Sequence, residues 1–373
     1  KKNKEGFEFN FKNSEFENFD RSDYQFGFNF GSNFNSNRTS IHISYNHYER
    51  EPIKASEDER MGISDWRDFP QIANTEWATT RFRRNSINSP YGQFDFVDNI
   101  KGYEFYRERG LTDSSGEFEI FPSSDPKCLV DIGNQSCIAK DTTTKRYNLN
   151  QERWVVSDLE RDNFQFDLSH KFKNGVEGFT EFSFYSSKTK QNNSPSATFS
   201  SSRLIVPPSN YWNPFGAKTF ADGTTNRNRL SENDAPGIPE EGLSVIIDNY
   251  RYVDVGPRKI NVEKDTYRIL QGFRGSFHNW DWEIAGFISE ASSDDITSNR
   301  LSNSLMEQAL SISTPEAYNP FSGGGDFDKY LLTGQDGTPS IDGAVQNAII
   351  DVYRKGKRKL NSIDFRFNNV DFI

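Results

Sequence analysis

Long apolar runs are missing from the sequence. No stretch of about 18 apolar residues occurs, which excludes the membrane-spanning type of α-helix. An excess of basic residues is missing as well, since 44 Lys and Arg stand against 54 Asp and Glu and give a net charge of -10. A nucleic-acid partner would require clustered positive charge, so we expect no nucleic acid to bind.

Histidine is scarce, and the motifs that carry catalysis are missing. The four histidines, His42, His47, His170 and His278, form no His-Glu-x-x-His pair, and no Gly-x-Ser-x-Gly elbow occurs. The abundant carboxylates are expected to be solvated rather than catalytic. We therefore predict that the protein is not an enzyme, and we assign it no catalytic residue, no metal ligand and no cofactor.

Only two cysteines occur, Cys128 and Cys137, nine positions apart. A bond between them would close one small loop, as disulfides do in proteins of oxidising compartments. We predict this disulfide, and two free thiols of a cytosolic protein are the alternative.

Aromatic residues and strict alternation are what the sequence does have. Phenylalanine occurs 33 times, although the mean hydropathy is only -0.81. Side chains of a strand point to opposite faces in turn, so alternation predicts strands with one apolar and one polar face. Eight segments show this pattern: Phe7–Phe11, Tyr24–Phe30, Ile41–Tyr45, Phe164–Leu168, Phe182–Phe184, Tyr267–Phe273, Trp282–Ile288 and Ile363–Phe367. The segment Val370–Ile373 is the candidate for a ninth.

The links between these segments differ greatly in length. Long loops at about 49–158, 188–262 and 292–357 alternate with tight turns at Lys173–Gly175 and His278–Asn279. A soluble β-sandwich, such as an adhesin module, also alternates along its strands, but three such loops in one compact domain would be abnormal. A membrane barrel has short turns on one side and long loops on the other. We predict an all-β, transmembrane, antiparallel up-and-down barrel.

Several motifs follow one another in the middle of the chain. They are Tyr147–Asn150 with Trp154 and Asp158–Arg161, Tyr211–Gly216 with its Asn-Pro-Phe, Tyr250-Arg251, Gly256–Arg258, Tyr267–Leu270 with Gly272 and Arg274-Gly275, Trp280–Glu283, and a second Asn-Pro-Phe in Tyr318–Phe321. In their order and spacing these motifs resemble the TonB-dependent outer-membrane receptors, in their long-looped proteobacterial branch, and the resemblance covers about residues 20 to 370.

The resemblance implies a barrel of about 22 strands, filled by an N-terminal plug, that imports a scarce nutrient. It also implies three partners: outer-membrane lipid and lipopolysaccharide, the TonB–ExbB–ExbD complex acting through the plug, and an unknown nutrient. We find neither a plug sequence nor a TonB-box candidate, and only eight or nine strands. We therefore interpret residues 1–373 as part of a receptor barrel in the outer membrane of a Gram-negative cell.

Site residues follow from this interpretation. Polar residues of the alternating segments are expected to face the interior of the barrel: Gln165, Asp167, Arg268, Arg274 and Glu283. The outer-loop aromatics Tyr211, Trp212 and Tyr318 are candidate ligand contacts. Each Asn-Pro-Phe has a competing interpretation as a turn that shapes its loop, because Pro fixes φ and Asn caps turns.

Two other functions stay open at this point. A passive porin or a structural surface protein would share the barrel, and a signal peptide running directly into the first strand would favour it over the receptor. An outer-membrane lipase or protease within a small barrel is the enzymatic alternative. The ligand is not readable: siderophores, cobalamin, oligosaccharides and peptides all fit the family.

Overall fold

Antiparallel strands make up most of the ordered secondary structure. The structure, a computed structural model, describes residues 5–140, 145–199, 201–323 and 345–369. Every strand pairing within these ranges is antiparallel. The predicted all-β class is therefore confirmed. The candidate ninth strand at Val370–Ile373 lies outside the described residues.

The strands are numbered β1 to β16 along the chain. Eight of them form one main sheet. Neighbours in this sheet follow one another along the chain, as in a meander. In spatial order the strands are β1 (Gly6–Glu15), β2 (Ser22–Phe34), β3 (Thr39–Arg50), β10 (Asp158–Lys171), β11 (Glu177–Asn193), β14 (Arg258–Phe277), β15 (Trp280–Leu301) and β16 (Ile349–Asn368).

The remaining elements lie between strands of the main sheet. A second sheet has the order β12 (Ile205–Val206), β13 (Val245–Asn249), β5 (Gln93–Phe96), β6 (Phe118–Pro122), β8 (Ser136–Ala139) and β7 (Val130–Gly133), and β4 (Ile53–Lys54) pairs with β9 (Trp154–Val156). The α-helices are α1 (Glu59–Gly62), α2 (Glu104–Arg107) and α3 (Asn303–Leu310). Short 3₁₀ helices cover Ala55–Glu57, Trp66–Asp68, Thr80–Phe82, Ile100–Gly102, Val253–Val255 and Gln346–Ala348.

All eight alternating segments lie in strands of the main sheet, and both predicted turns are present. Gly175 has φ +87° and His278 has φ +54°, the left-handed conformations that tight hairpins require. The predicted loop limits need correction, because β15 runs on to Leu301 and β16 begins at Ile349, inside the expected loop 292–357. Apolar and polar residues mix on both faces of these extensions, so the period-two signal ends before the strands do.

One face of the main sheet is a continuous apolar surface, which we call the apolar face. Directly paired residues share a face, and the register aligns Phe28 with Tyr45 and then Phe164. Many of its side chains are exposed, with Phe365 at 65% and Ile363 at 70%. The exposed members are Phe7, Phe9, Phe11, Phe30, Phe184, Tyr267, Ile269, Phe273, Ile288, Ile363, Phe365 and Phe367. The apolar face is therefore not the core of this fold.

The core instead lies within the three long links, β3 to β10, β11 to β14 and β15 to β16, which we call the cap. Phe94 of the first link contacts Phe321 of the third, with ring centroids 4.8 Å apart. Phe96 meets Phe215 of the second link edge-on, also at 4.8 Å. Aromatic pairs of this kind contribute beyond the area that they bury. The three links thus fold together around one aromatic cluster.

Both Asn-Pro-Phe motifs serve to build the cap. The Oδ1 of Asn213 accepts a hydrogen bond from the backbone N–H of Phe215 at 2.9 Å, and Asn319 makes the same turn with Phe321 at 3.0 Å. The Nδ2 of Asn213 also donates to the carbonyl oxygen of Leu243 at 3.0 Å. Each turn directs its phenylalanine into the buried cluster, which supports the interpretation of these motifs as loop-shaping turns.

A buried arginine joins two of the links. Arg251 is 5% exposed, and its guanidinium donates to the carbonyl oxygens of Pro195 at 2.7 Å and Asn88 at 3.2 Å. It also lies over the ring of Tyr147, 5.1 Å from the centroid. Burial lowers the pKa of Arg251 to about 10, so the side chain stays charged at neutral pH and acts as a structural cross-link.

Cys137 lies in β8, opposite Asp131 of β7, and Cys128 precedes β7 by two residues. Both thiols are unbonded in the structure. Cys128 packs against the small cluster that contains Cys137 and Phe121, and burial raises the pKa of the Cys137 thiol. The fold thus places the two thiols side by side, while the predicted disulfide stays a prediction.

We expect mass spectrometry of the native protein, digested without reduction, to find a peptide in which Cys128 is joined to Cys137. The loop between them is short, and the fold already holds the thiols together, so oxidation requires little rearrangement. The Cys128→Ser variant is the control and should lack the cross-linked peptide. Free thiols at both positions of the native wild-type protein would contradict the prediction.

Candidate functional site

The opposite face of the main sheet carries a broad polar depression. Its volume is about 710 Å³. All five residues predicted to face the interior line it: Gln165, Asp167, Arg268, Arg274 and Glu283. Gln165 and Asp167 lie on β10, Arg268 and Arg274 on β14, and Glu283 on β15. The strand register places all five residues on the same face of the sheet. We call this surface the polar depression.

A row of alternating charges crosses the depression close to the tight turns at Gly175 and His278. Glu177, Arg274, Glu283 and Arg366 stand directly opposite one another on β11, β14, β15 and β16. Arg274 Nε donates to Glu177 Oε2 at 3.1 Å, and a second, shorter contact makes the pair bidentate. Opposite charges at directly paired positions stabilise the sheet modestly. The row also leaves each carboxylate flanked by cations.

A second group of polar contacts lies on the same face, farther from these turns. Arg268 Nη1 lies 3.5 Å from Glu181 Oε2. The amide of Gln165 donates to Asp167 at 3.1 Å, and Asp167 Oδ2 also lies 3.2 Å from His42 Nδ1. These groups hold one another in place while remaining partly open to solvent, as a wall that faces water requires.

Two phenylalanines lie among these charges. The ring of Phe179 covers Gly272, where an added Cβ would approach the ring to within 2.3 Å. The guanidinium of Arg274 stacks over Phe179, 5.2 Å from the centroid, and Arg268 stacks over Phe287 at 5.1 Å. Both arginines are therefore oriented by a cation–π contact as well as by a carboxylate. Gly272 is required for this packing because any side chain would displace the ring.

Several charged groups of the depression are paired with one another, Arg274 with Glu177 and Arg268 with Glu181. Among the described residues, no three His, Cys or carboxylate ligands of the depression come close enough to share a metal ion. The arrangement offers a hydrated surface with fixed donors and acceptors for a polar solute.

The aromatic residues predicted to contact a ligand lie in the cap, with different degrees of exposure. Tyr318 is fully buried, so its side chain offers no surface to a ligand. Trp212 is half-buried, and its indole N–H donates to the carbonyl oxygen of Ala317 at 3.0 Å. Tyr211 is also half-buried and packs against Trp212 and Phe220. Tyr318 therefore belongs to the core of the cap, whereas the side chains of Tyr211 and Trp212 are partly accessible to solvent.

Sequence reasoning missed a buried cluster of hydroxyl groups around Asp254. Tyr318 donates a hydrogen bond to Asp254 Oδ1 at 3.1 Å, and its hydroxyl lies 3.1 Å from that of Tyr250. Tyr252 packs beside both rings. Desolvation raises the pKa of Asp254 to about 6. The partners are 64 residues apart in sequence, and no short-range pattern could have indicated the contact.

The raised pKa of Asp254 predicts that the cap loses stability as the pH rises. The ordinary pKa of 3.8 applies to the unfolded chain and about 6 to the folded one, so folding favours the protonated form. Ionisation therefore costs stability progressively from about pH 4 to above pH 6, by about 3 kcal/mol. Asp254→Asn keeps an acceptor oxygen without the charge. We expect D254N to exceed wild type in thermal stability at pH 8 and to match it near pH 4.

Near-ultraviolet circular dichroism of the buried tyrosines is the measurement for this comparison. A stability difference between D254N and wild type that does not change between pH 4 and pH 8 would refute the assignment.

No family model matches the sequence, and a search of curated proteins finds no significant relative. Among the described residues, no helix is long and apolar enough to cross a membrane.

Proposed function

We propose that the chain is part of the barrel wall of an outer-membrane receptor of the TonB-dependent kind. The observation that carries this proposal is the exposed apolar face of the main sheet. Rows of Phe, Ile, Tyr and Trp continue across eight strands, while the core lies elsewhere in the cap. A lipid bilayer is the environment that covers such a face with hydrocarbon while the other face meets water.

The energetics favour this environment. Apolar surface gains roughly 25 cal/mol per Å² when it leaves water, and soluble monomers rarely expose apolar patches beyond a few hundred Å². Side chains such as Phe7, Phe367 and Ile363 are each about two-thirds exposed. Acyl chains would remove this surface from water without any partner protein.

The strand lengths fit a membrane wall that continues beyond the bilayer. A tilted strand needs about 9–11 residues to cross the hydrocarbon. Strands β10 and β11 have 14 and 17 residues, and β14, β15 and β16 have 20, 22 and 20. On the apolar face the aromatic and aliphatic rows give way to Glu290 and Lys359, which are paired at 3.1 Å. We take this change as the membrane boundary, with the cap outside the cell.

The polar depression then faces the water-filled interior. Its alternating charges, from Glu177 to Arg366, line the route of a solute or pack against a plug domain. The cap supplies the surface that meets the ligand first, and Tyr211 with Trp212 are its partly accessible aromatics. Siderophores, oligosaccharides and peptides are the ligand classes that we propose, with energy from the TonB–ExbB–ExbD complex.

A passive porin or a surface-exposed structural barrel is the second candidate. It shares the apolar face and the polar depression, and it differs in having no plug. The complete gene separates the two candidates: a plug and a TonB box upstream of Lys1 support the receptor, whereas a signal peptide running directly into β1 supports the porin.

Spin labels on two adjacent residues of β10 test the membrane wall. Phe166→Cys labels the apolar face and Asp167→Cys the polar one, in a background where both native cysteines are changed to serine. In lipid bilayers we expect the Phe166 label to collide mainly with dissolved oxygen, which concentrates in acyl chains. The Asp167 label should collide mainly with a water-soluble nickel complex. Electron paramagnetic resonance measures both collision rates.

The Tyr211→Cys variant is the control for a label outside the bilayer and should respond to the nickel complex. If the labels at positions 166 and 167 collide with the nickel complex at equal rates, the apolar face is not covered by lipid and the proposal fails.

A further inference from the structure

A histidine and two carboxylates converge on the apolar side of the main sheet, just beyond its apolar rows. His47 of β3 stands directly opposite Asp162 of β10, and Glu160 is the next residue of β10 on that face. One ligand atom from each of the three lies within 4.8 Å of the other two. We propose that His47, Glu160 and Asp162 bind one divalent transition-metal ion of the zinc class.

The geometry suits such an ion. Zinc takes nitrogen and oxygen ligands at about 2.0–2.2 Å, so two ligand atoms of a tetrahedral site lie roughly 3.3 Å apart. His47 Nδ1 and Asp162 Oδ1 lie 2.9 Å apart. Small side-chain rotations would therefore place an ion among the three ligands. All three residues are half-buried, which leaves a path for the ion and a water ligand.

Carboxylates flank both ring nitrogens of His47. Nδ1 faces Asp162, and Nε2 lies 3.9 Å from Glu49 Oε2. A neutral imidazole carries one N–H and one lone pair, so it can donate to only one of these acceptors. An ion on Nδ1 places the hydrogen on Nε2, toward Glu49, and gives the imidazole the carboxylate neighbour that metal-bound histidines commonly have.

Glu160 stands between a like charge and an opposite charge. Among the described residues its carboxylate makes no hydrogen bond or ion pair, and it lies directly opposite Glu49 of β3 on one side and Lys188 of β11 on the other. Like charges at directly paired positions destabilise a sheet. A divalent ion shared by Glu160 and Asp162 would neutralise two carboxylates and remove this repulsion.

The same two strands supply a matched control on the other face. His42 of β3 stands opposite Asp167 of β10, with Nδ1 and Oδ2 3.2 Å apart. This pair resembles His47 with Asp162, but in the described part of the chain it has no third ligand within reach. A histidine–aspartate pair alone is thus present twice, and only one copy is expected to hold the ion.

Isothermal titration of the metal-free, full-length protein with zinc chloride tests the site. We expect one zinc ion per chain for wild type and the same affinity for His42→Gln. His47→Gln should weaken zinc binding by about tenfold or more, because it removes the ligand that favours zinc over calcium. Glu160→Gln should also weaken it, and this variant keeps the fold because Glu160 makes no bond in the metal-free protein.

Three results would overturn the proposal. The first is wild-type protein that takes up no zinc at micromolar concentrations. The second is H47Q or E160Q protein that binds zinc as tightly as wild type, and the third is a loss of binding in H42Q equal to that in H47Q. A parallel titration with calcium chloride distinguishes the zinc site from a general acidic site. A general acidic site would bind calcium, and H47Q would not change its affinity. The zinc site stands independently of the proposed membrane function.

Discussion

The alternation of apolar and polar side chains along eight paired strands is the constraint on which the rest of the structure depends. A single register places Phe28, Tyr45 and Phe164 in one row of the apolar face, and a slip by one residue would move every ring to the polar face. The tight turns at Gly175 and His278 fix the register of the β10–β11 and β14–β15 hairpins. The same alternation assembles Glu177, Arg274, Glu283 and Arg366 into one row on the opposite face.

The cap solves a different problem. Its three links share one aromatic core, and side chains satisfy part of their buried backbone. Asn213 and Arg251 do this by bonding to carbonyl oxygens of distant segments. Because α3 follows β15 directly and the helix Val253–Val255 precedes β14, the cap continues from the strand ends. The sheet carries the surface chemistry, and the cap carries the globular core.

Period-two patterning predicted the eight strands, both turns and the shared face of five polar residues, since these depend on local alternation. The ends of β15 and β16 that extend into the expected loop escaped prediction because apolar and polar residues mix on both of their faces. The strands of the cap's second sheet, such as Ile205–Val206, are too short to show a period-two pattern. Contacts between distant segments, such as Tyr318 with Asp254 and His47 with Asp162, depend on tertiary folding and have no signature in one sequence. Tyr318 was expected at a surface because aromatic residues in loops commonly bind ligands. In the structure it is buried in the shared core of the cap instead.

Whether the main sheet is a membrane wall depends on what covers its apolar face. Methyl-resolved nuclear magnetic resonance of the protein in lipid bilayers measures this directly, through magnetisation transfer from acyl chains to isoleucine and leucine methyl groups. If lipid covers the apolar face, we expect transfer to Ile43, Ile269 and Ile288 on that face and to neither Leu270 nor Leu360 on the polar face. Equal transfer to both sets, or transfer to neither, would contradict this expectation.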